Sequence, residues 1–282
     1  MTRIKTQRYP KPSKALGQNF LIHESTLNTL AEKICHNDPE ILVELGAGTG
    51  NLTLALAQRC KRVIAFELDE RLVHWHDKQQ LLPDNVELRQ ADILRISYQA
   101  LWEETGDRLH LAGNLPYNIS TQVVFSMCAQ NRFIKEAFFL FQKEVADRIT
   151  SPPGKKDYGT ISVVSQYCAD VKKILEIPPS MFRPKPKVYS ALVQFRFFQG
   201  EKPRCDDYEF FVKTVRASFS QRRKKIVNCL SSFFRLEKHL LEAVLNKADI
   251  SPDIRAERLS VSHFVTLASG LKDIVQKKAL PL

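Results

Sequence analysis

Between Ile41 and Phe141, five short apolar runs alternate with stretches of helical spacing, and no other feature constrains the fold as strongly. The runs are Ile41–Leu45, Val63–Phe66, Val86–Leu88, Leu109–Ala112 and Ala137–Phe141. Apolar residues recur at helical spacing within residues 22–36 (Leu27, Leu30, Ile34), Leu52–Ala57, Leu72–Leu82 and Ile119–Met127. A run that is apolar without alternation is buried on both faces, which requires helices packed over both sides of a parallel sheet. The expected fold class is therefore α/β with a Rossmann-like, doubly wound sheet. Val171–Ile177 and Ala191–Phe197, separated by a proline-rich loop, read as a terminal antiparallel pair.

After Gln199-Gly200-Glu201-Lys202-Pro203 the pattern becomes helical only, which divides the chain into an α/β domain over residues 1–200 and a small helical domain over residues 201–282. Phe211, Val215 and Phe219 share one face, as do Leu236, Leu240 and Val244, and then Val261, Phe264, Val265 and Ala268. Ser251-Pro252-Asp253 reads as a helix start. A three-helix unit of this kind serves as packing support more often than as a DNA reader.

Charge narrows the choice of partner. Lys and Arg number 42 against 31 Asp and Glu, a formal net charge of +11. That excess suits a polyanion, usually nucleic acid. It is concentrated in three acid-free clusters: Arg3, Lys5, Arg8, Lys11 and Lys14 within the basic segment 1–20; Arg183, Lys185 and Lys187 between prolines; and the unbroken run Arg222, Arg223, Lys224, Lys225. No apolar stretch approaches the roughly 18 residues of a membrane span, and the basic N-terminus leads into no apolar signal segment. The six cysteines (Cys35, Cys60, Cys128, Cys168, Cys205 and Cys229) are scattered without a CxxC pair. Reduced core thiols are expected, not a disulfide framework or a metal site.

Glu44-Leu45-Gly46-Ala47-Gly48-Thr49-Gly50 falls where the first apolar run turns into a helix. Glycines there let backbone N–H groups approach a ligand. A dinucleotide fingerprint needs a further glycine where Asn51 stands. Polar residues end four successive runs: Gly46, Glu67, Asp92 and Asn114. In an open parallel sheet these ends line one edge, where ligands bind. Glu67 can accept both ribose hydroxyls of a nucleoside, and Asp92 an exocyclic amine. Either carboxylate alone could equally cap the helix that follows, as could Asp69; both, in register with the glycine turn, favour ligand binding. A nucleoside cofactor without a pyrophosphate site points to S-adenosylmethionine in preference to NAD.

Asn114-Leu115-Pro116-Tyr117 follows the fourth run. Adenine N6 is a poor nucleophile because its lone pair is delocalised into the ring. Two acceptors at its N–H groups, the Asn114 side-chain oxygen and the Leu115 carbonyl, would favour a pyramidal nitrogen with its lone pair aimed at a methyl group. Pro116 stiffens the turn, and Tyr117 offers an aromatic face to a base taken from its stack. Alignment supplies most of the acceleration, and no strong base is required.

With these residues in view, the chain resembles the KsgA-type ribosomal RNA adenine N6,N6-dimethyltransferases along nearly its full length. The likeness rests on Leu16-Gly17-Gln18-Asn19-Phe20-Leu21, the glycine turn, Glu67, Ala91-Asp92 and Asn114-Leu115-Pro116-Tyr117. It continues through Gln142–Arg148, Tyr158-Gly159, Phe182–Val188 and Arg255-Ala256-Glu257-Arg258-Leu259. Ala47 stands where family members usually have proline.

The resemblance implies transfer of two methyls to each of two adjacent adenines in a hairpin near the 3′ end of small-subunit ribosomal RNA, during subunit biogenesis. It implies S-adenosyl-L-methionine as cofactor, held by Asn19, Leu21, Gly46, Glu67, Asp92 and Asn114, and Phe182 stacking on the target base opposite Tyr117. The partner would be the pre-ribosomal small subunit, met by the basic N-terminus and by Arg222, Arg223, Lys224 and Lys225. The location would be cytoplasmic, with no membrane and a monomer as the default. The rival readings are the same chemistry on large-subunit RNA, a mitochondrial transcription-factor-like binding protein, and an NAD-dependent oxidoreductase, the last disfavoured by Asn51.

Overall fold

The computed structural model describes residues 10–200 and 205–279; Arg3, Lys5 and Arg8, and Glu201-Lys202-Pro203 of the expected linker, lie outside them. The elements run β1 (Phe20–Leu21), α1 (Glu24–Ile34), β2 (Ile41–Leu45), α2 (Asn51–Ala57), β3 (Arg62–Glu67), α3 (Glu70–Gln79), β4 (Val86–Gln90), α4 (Tyr98–Thr105), β5 (Leu109–Asn114), α5 (Ser120–Ala129) and β6 (Ile134–Gln142). They continue as α6 (Lys143–Thr150), α7 (Thr160–Cys168), β7 (Ala169–Ile177), β8 (Phe182–Arg183), β9 (Ser190–Phe197), α8 (Tyr208–Ser218), α9 (Ile226–Phe234), α10 (Lys238–Lys247) and α11 (Val261–Ala279).

Seven strands form one sheet in the order β4-β3-β2-β5-β6-β9-β7. The pairs β2–β3, β3–β4, β2–β5 and β5–β6 are parallel, and β9 runs antiparallel to β6. β2 and β3 are buried at every position after the first, so the sheet is covered on both faces as their unbroken apolar character requires. The chain proceeds outward from β2 through β3 to β4, then returns to lay β5 on the other side of β2. That reversal makes the β2/β5 junction the topological switch point. Contact there is close: a Cβ on Gly113 would stand 2.4 Å from the Leu45 carbonyl oxygen, so only glycine lets β5 lie this near β2.

The chain divides into two compact units: residues up to Ala146 with Lys172–Phe197, and Asp147–Val171 with the residues from Phe198 onward. This corrects the single expected cut at residue 200. Within the second unit Tyr167 of α7 stacks on Phe211 of α8 at 4.2 Å, and its hydroxyl accepts from the Cys205 N–H at 3.0 Å. These contacts tie a segment before residue 200 to the helices after it.

Three further expectations are corrected. Among the described residues four α-helices, not three, follow residue 207. Leu236 precedes α10 and Leu240 is exposed; the buried stripe of that helix is Leu241, Val244 and Leu245. Ser251-Pro252-Asp253 forms a turn, and the next α-helix begins only at Val261. The six cysteines are free and buried. Among the described residues no helix is long and apolar enough to cross a membrane.

Candidate functional site

A cavity of about 210 Å³ opens at the carboxyl edge of the sheet. It is lined by Asn19, Leu21, Gly46, Glu67, Asp92 and the whole corner Asn114, Leu115, Pro116 and Tyr117. The structure thus brings together residues expected to meet from their places at strand ends. Phe182 is the exception. It is only 3% exposed, pairs with Leu21 across β1 and β8, and belongs to the hydrophobic core, away from the cavity lining. The expected stacking role of Phe182 on the target base is corrected to packing: its position opposite Leu21 turns the ring inward.

The glycine turn is built to a tight specification. Gly46, Gly48 and Gly50 take φ of +88°, +57° and +76°, values that favour glycine. The N–H groups of Gly46 and Ala47 both donate to the Phe66 carbonyl at 2.9 Å. The Gly48 peptide is gripped on both sides. Its N–H donates to Glu67 Oε2 at 2.7 Å, and its carbonyl accepts from His76 Nε2 at 2.9 Å. His76 is buried, and burial holds its pKa below the ordinary histidine value. Because a carbonyl can only accept, the contact places a proton on Nε2.

Glu67 does more than the sequence suggested. Oε1 accepts from the N–H groups of Leu68 and Asp69 at 2.9 and 2.8 Å, so the carboxylate joins the end of β3 to the glycine turn. Burial raises its pKa, and those three N–H bonds oppose the rise. Two oxygens with about four lone-pair sites accept three such bonds and still have room for a ligand hydroxyl. Capping of α3 falls to Asp69, whose Oδ1 accepts from the Arg71 N–H at 3.1 Å. Asp92 makes a local turn, with Oδ1 accepting from the Leu94 N–H at 3.0 Å.

On the opposite wall, residues 16–21 form a strap tied down by three side chains. Gln18 Nε2 donates to Asp69 Oδ2 at 3.0 Å, and Asn51 Nδ2 to the Leu21 carbonyl at 2.7 Å. Asn114 Nδ2 donates to the Asn19 carbonyl at 2.8 Å. This last bond orients the Asn114 amide: with its nitrogen committed to the strap, the side-chain oxygen is the acceptor presented at the end of β5. The Tyr117 phenol lies 2.9 Å from the Ser190 hydroxyl, which fixes the ring.

Reading the sequence missed the structural roles of Gln18, Asn51 and His76. Asn51 was visible as the residue that breaks the dinucleotide pattern; nothing in the sequence marks His76. Glu44 opens the glycine-turn segment, and nothing in the sequence marks its burial. It lines the cavity, is 1% exposed, and its Oε2 is buried without a hydrogen-bond partner. Burial pushes its pKa up to about 8, with the Thr53 hydroxyl opposing the rise and the Glu67 charge adding to it.

A pH prediction follows from Glu44. The folded state favours the neutral acid, so folding takes up a proton between about pH 4.5 and about pH 8. The stability contributed is complete below that window and is lost as pH rises through it. Glu44→Gln should therefore gain thermal stability relative to the parent as pH increases from 5 to 8, measured as the difference between their Tm curves. A constant difference would show that Glu44 does not titrate there.

Residues 11–273 match the ribosomal RNA adenine dimethylase family. A ribosomal RNA small subunit methyltransferase A of Desulfotalea psychrophila is 36% identical over 269 residues, spanning 92% of this chain and 90% of that protein. In structure the chain is similar to a dimethyladenosine transferase from Plasmodium falciparum, with TM-score 0.69 and 22% identity, over 92% of this chain and 98% of the other. It is also similar to the 23S rRNA methyltransferase ErmE, with TM-score 0.63 and 22% identity, over 90% of this chain and 99% of the other. At that identity the two likenesses show a shared α/β fold alone.

Proposed function

This chain belongs to the ribosomal RNA adenine dimethylase family, and from that premise we propose that it transfers methyl groups from S-adenosylmethionine to N6 of two adjacent adenines in a hairpin near the 3′ end of small-subunit ribosomal RNA. The observation that carries this reading is the orientation of the Asn114 amide, whose oxygen is left as an acceptor beside the glycine turn. The small-subunit relative favours this substrate over large-subunit RNA.

The residues present fit the cofactor. Carboxylates close two neighbouring strand ends at Glu67 and Asp92, Gly46 exposes backbone, and Leu21 and Ile93 supply apolar wall. Asn19 completes the pocket from the strap. Bound there, S-adenosylmethionine supplies a sulfonium methyl group. With three of its lone-pair sites taken by backbone N–H groups, Glu67 accepts from one of the nucleoside's hydroxyls, not both, and Asp92 accepts from its exocyclic amine. Asn114 Oδ1 and the Leu115 carbonyl accept from the two N–H bonds of the target amine and direct its lone pair inward. Pro116 has no N–H to compete for those acceptors. Tyr117, pinned by Ser190, offers its ring face to the extruded base.

The enzyme acts as a cytoplasmic monomer on the pre-ribosomal small subunit. The basic turn Arg222–Lys225 contacts RNA backbone. All four residues are exposed. Lys225 pairs with Asp253 at 2.7 Å, and Arg222 donates to the Lys156 carbonyl, so Arg223 and Lys224 carry the contact. Replacing both by alanine should weaken RNA affinity at every sequence tested. The slope of log K against log salt should fall by about 0.7–0.9 for each phosphate no longer neutralised. An unchanged slope would remove this turn from the interface.

The decisive experiment is tritiated methyl transfer to small subunits that lack the modification, with large subunits and free DNA as controls. Label should enter small-subunit RNA as N6,N6-dimethyladenine. Preferential labelling of large subunits would overturn the substrate assignment.

A further inference from the structure

The loop between β8 and β9 is fastened at both ends to the walls of the cleft. At its start Phe182 pairs with Leu21, which lines the cavity. At its end Ser190 holds the Tyr117 phenol, and the Tyr189 carbonyl accepts from the Lys143 N–H at 2.8 Å. Between these anchors Arg183, Lys185, Lys187, Val188 and Tyr189 are all exposed, and no acidic residue intervenes. Pro184 and Pro186 restrict the backbone between the cations.

Tyr189 is 50% exposed and Val188 43%. A large aromatic ring left in water gives up the stabilisation of burial. In the chain Tyr189 immediately precedes Ser190, whose hydroxyl fixes Tyr117, and it follows a run of alternating cations. Cations spaced along a strand path with an aromatic face among them match the chemistry of an unpaired nucleotide, phosphate on one side and base on the other. An enzyme that takes one base out of its stack leaves the neighbouring base without a stacking partner.

We propose that Tyr189 stacks on the nucleotide adjacent to the target adenine, while Arg183, Lys185 and Lys187 contact the flanking phosphates. The inference rests on the Asn114–Tyr117 corner as the place of methyl transfer. Because the two substrate adenines are neighbours, the base on Tyr189 is the second adenine when the first is in the corner. The ring alone does this work, so the hydroxyl is dispensable.

The test compares the parent with Tyr189→Ala and Tyr189→Phe in methyl transfer to unmodified small subunits, with S-adenosylhomocysteine binding measured by calorimetry. Tyr189→Ala should lower kcat/KM for the subunit about tenfold, mainly through KM, as removal of one base–aromatic stack does. Tyr189→Phe should match the parent, and all three proteins should bind S-adenosylhomocysteine alike. Parent-like kinetics in Tyr189→Ala would overturn the proposal, as would an equal loss in Tyr189→Phe. A fall in S-adenosylhomocysteine affinity would overturn it too, by making the ring a prop of the cleft. Failure of the underlying corner would show differently, as full activity in Asn114→Ala.

Discussion

Replacing Asn114 with alanine should reduce kcat for methyl transfer on the order of 10²- to 10³-fold, the loss typical of removing one preorganised group that stabilises a reacting centre. The expectation follows from the two ends of the amide. Its nitrogen donates to the Asn19 carbonyl at 2.8 Å, and its oxygen is the acceptor for the target amine. Alanine removes both. The missing acceptor appears in kcat. The missing tie to the strap appears in cofactor affinity, only a few-fold, because one neutral hydrogen bond contributes roughly 0.5–1.5 kcal/mol. Asn114→Asp separates the two roles. It keeps an oxygen toward the substrate but sets a second oxygen against the Asn19 carbonyl, so the strap should be repelled and cofactor affinity should fall further than in the alanine variant. Single-turnover methyl transfer and calorimetric binding of S-adenosylhomocysteine measure the two effects independently. Parent-like turnover in Asn114→Ala would reject the corner as the reacting site.

Replacing Glu67 with alanine should weaken cofactor binding about 10- to 100-fold, as expected on removing a hydrogen bond to a charged group worth roughly 1.5–3 kcal/mol. It should also lower stability by several kcal/mol. Three backbone N–H groups, those of Gly48, Leu68 and Asp69, would be left without their acceptor, at about 1–3 kcal/mol for each that stays buried and unpaired. Glu67→Gln keeps the volume, yet its NH₂ must face at least one of those donors. It should therefore recover only part of either loss. The check is joint measurement of Tm and cofactor affinity. Lower Tm with unchanged affinity would make Glu67 a structural clamp alone.

Much of this site was legible because strand ends are legible. Ile41–Leu45 coincides with β2, and Glu67 and Asn114 are the last residues of β3 and β5. Unbroken apolar runs have few alternatives to burial in a parallel sheet, and such a sheet collects its carboxyl ends along one edge. Less visible was α4, where only Tyr98 and Leu101 are buried and Trp102 is exposed. A helix with so little apolar face leaves almost no periodic signal, and the Ser97 cap that starts it is one hydrogen bond to the Ala100 N–H. Phe182 failed for the opposite reason. Its aromatic side chain beside prolines and cations fits an RNA-facing loop as well as it fits a core, and only the pairing with Leu21 decided which.

The order of apolar runs, the glycines at the first turn and the identity of the residues ending each strand were determined locally, since φ, side-chain chemistry and hydrophobic period are properties of short segments. What His76, Gln18 and Asn51 do was decided only by tertiary structure. His76 meets Gly48 across 28 positions, Gln18 meets Asp69 across 51, and Asn51 meets Leu21 across 30. A hydrogen bond between distant residues depends on where the fold places both partners, and a polar side chain carries no mark of its partner until the chain has closed around it.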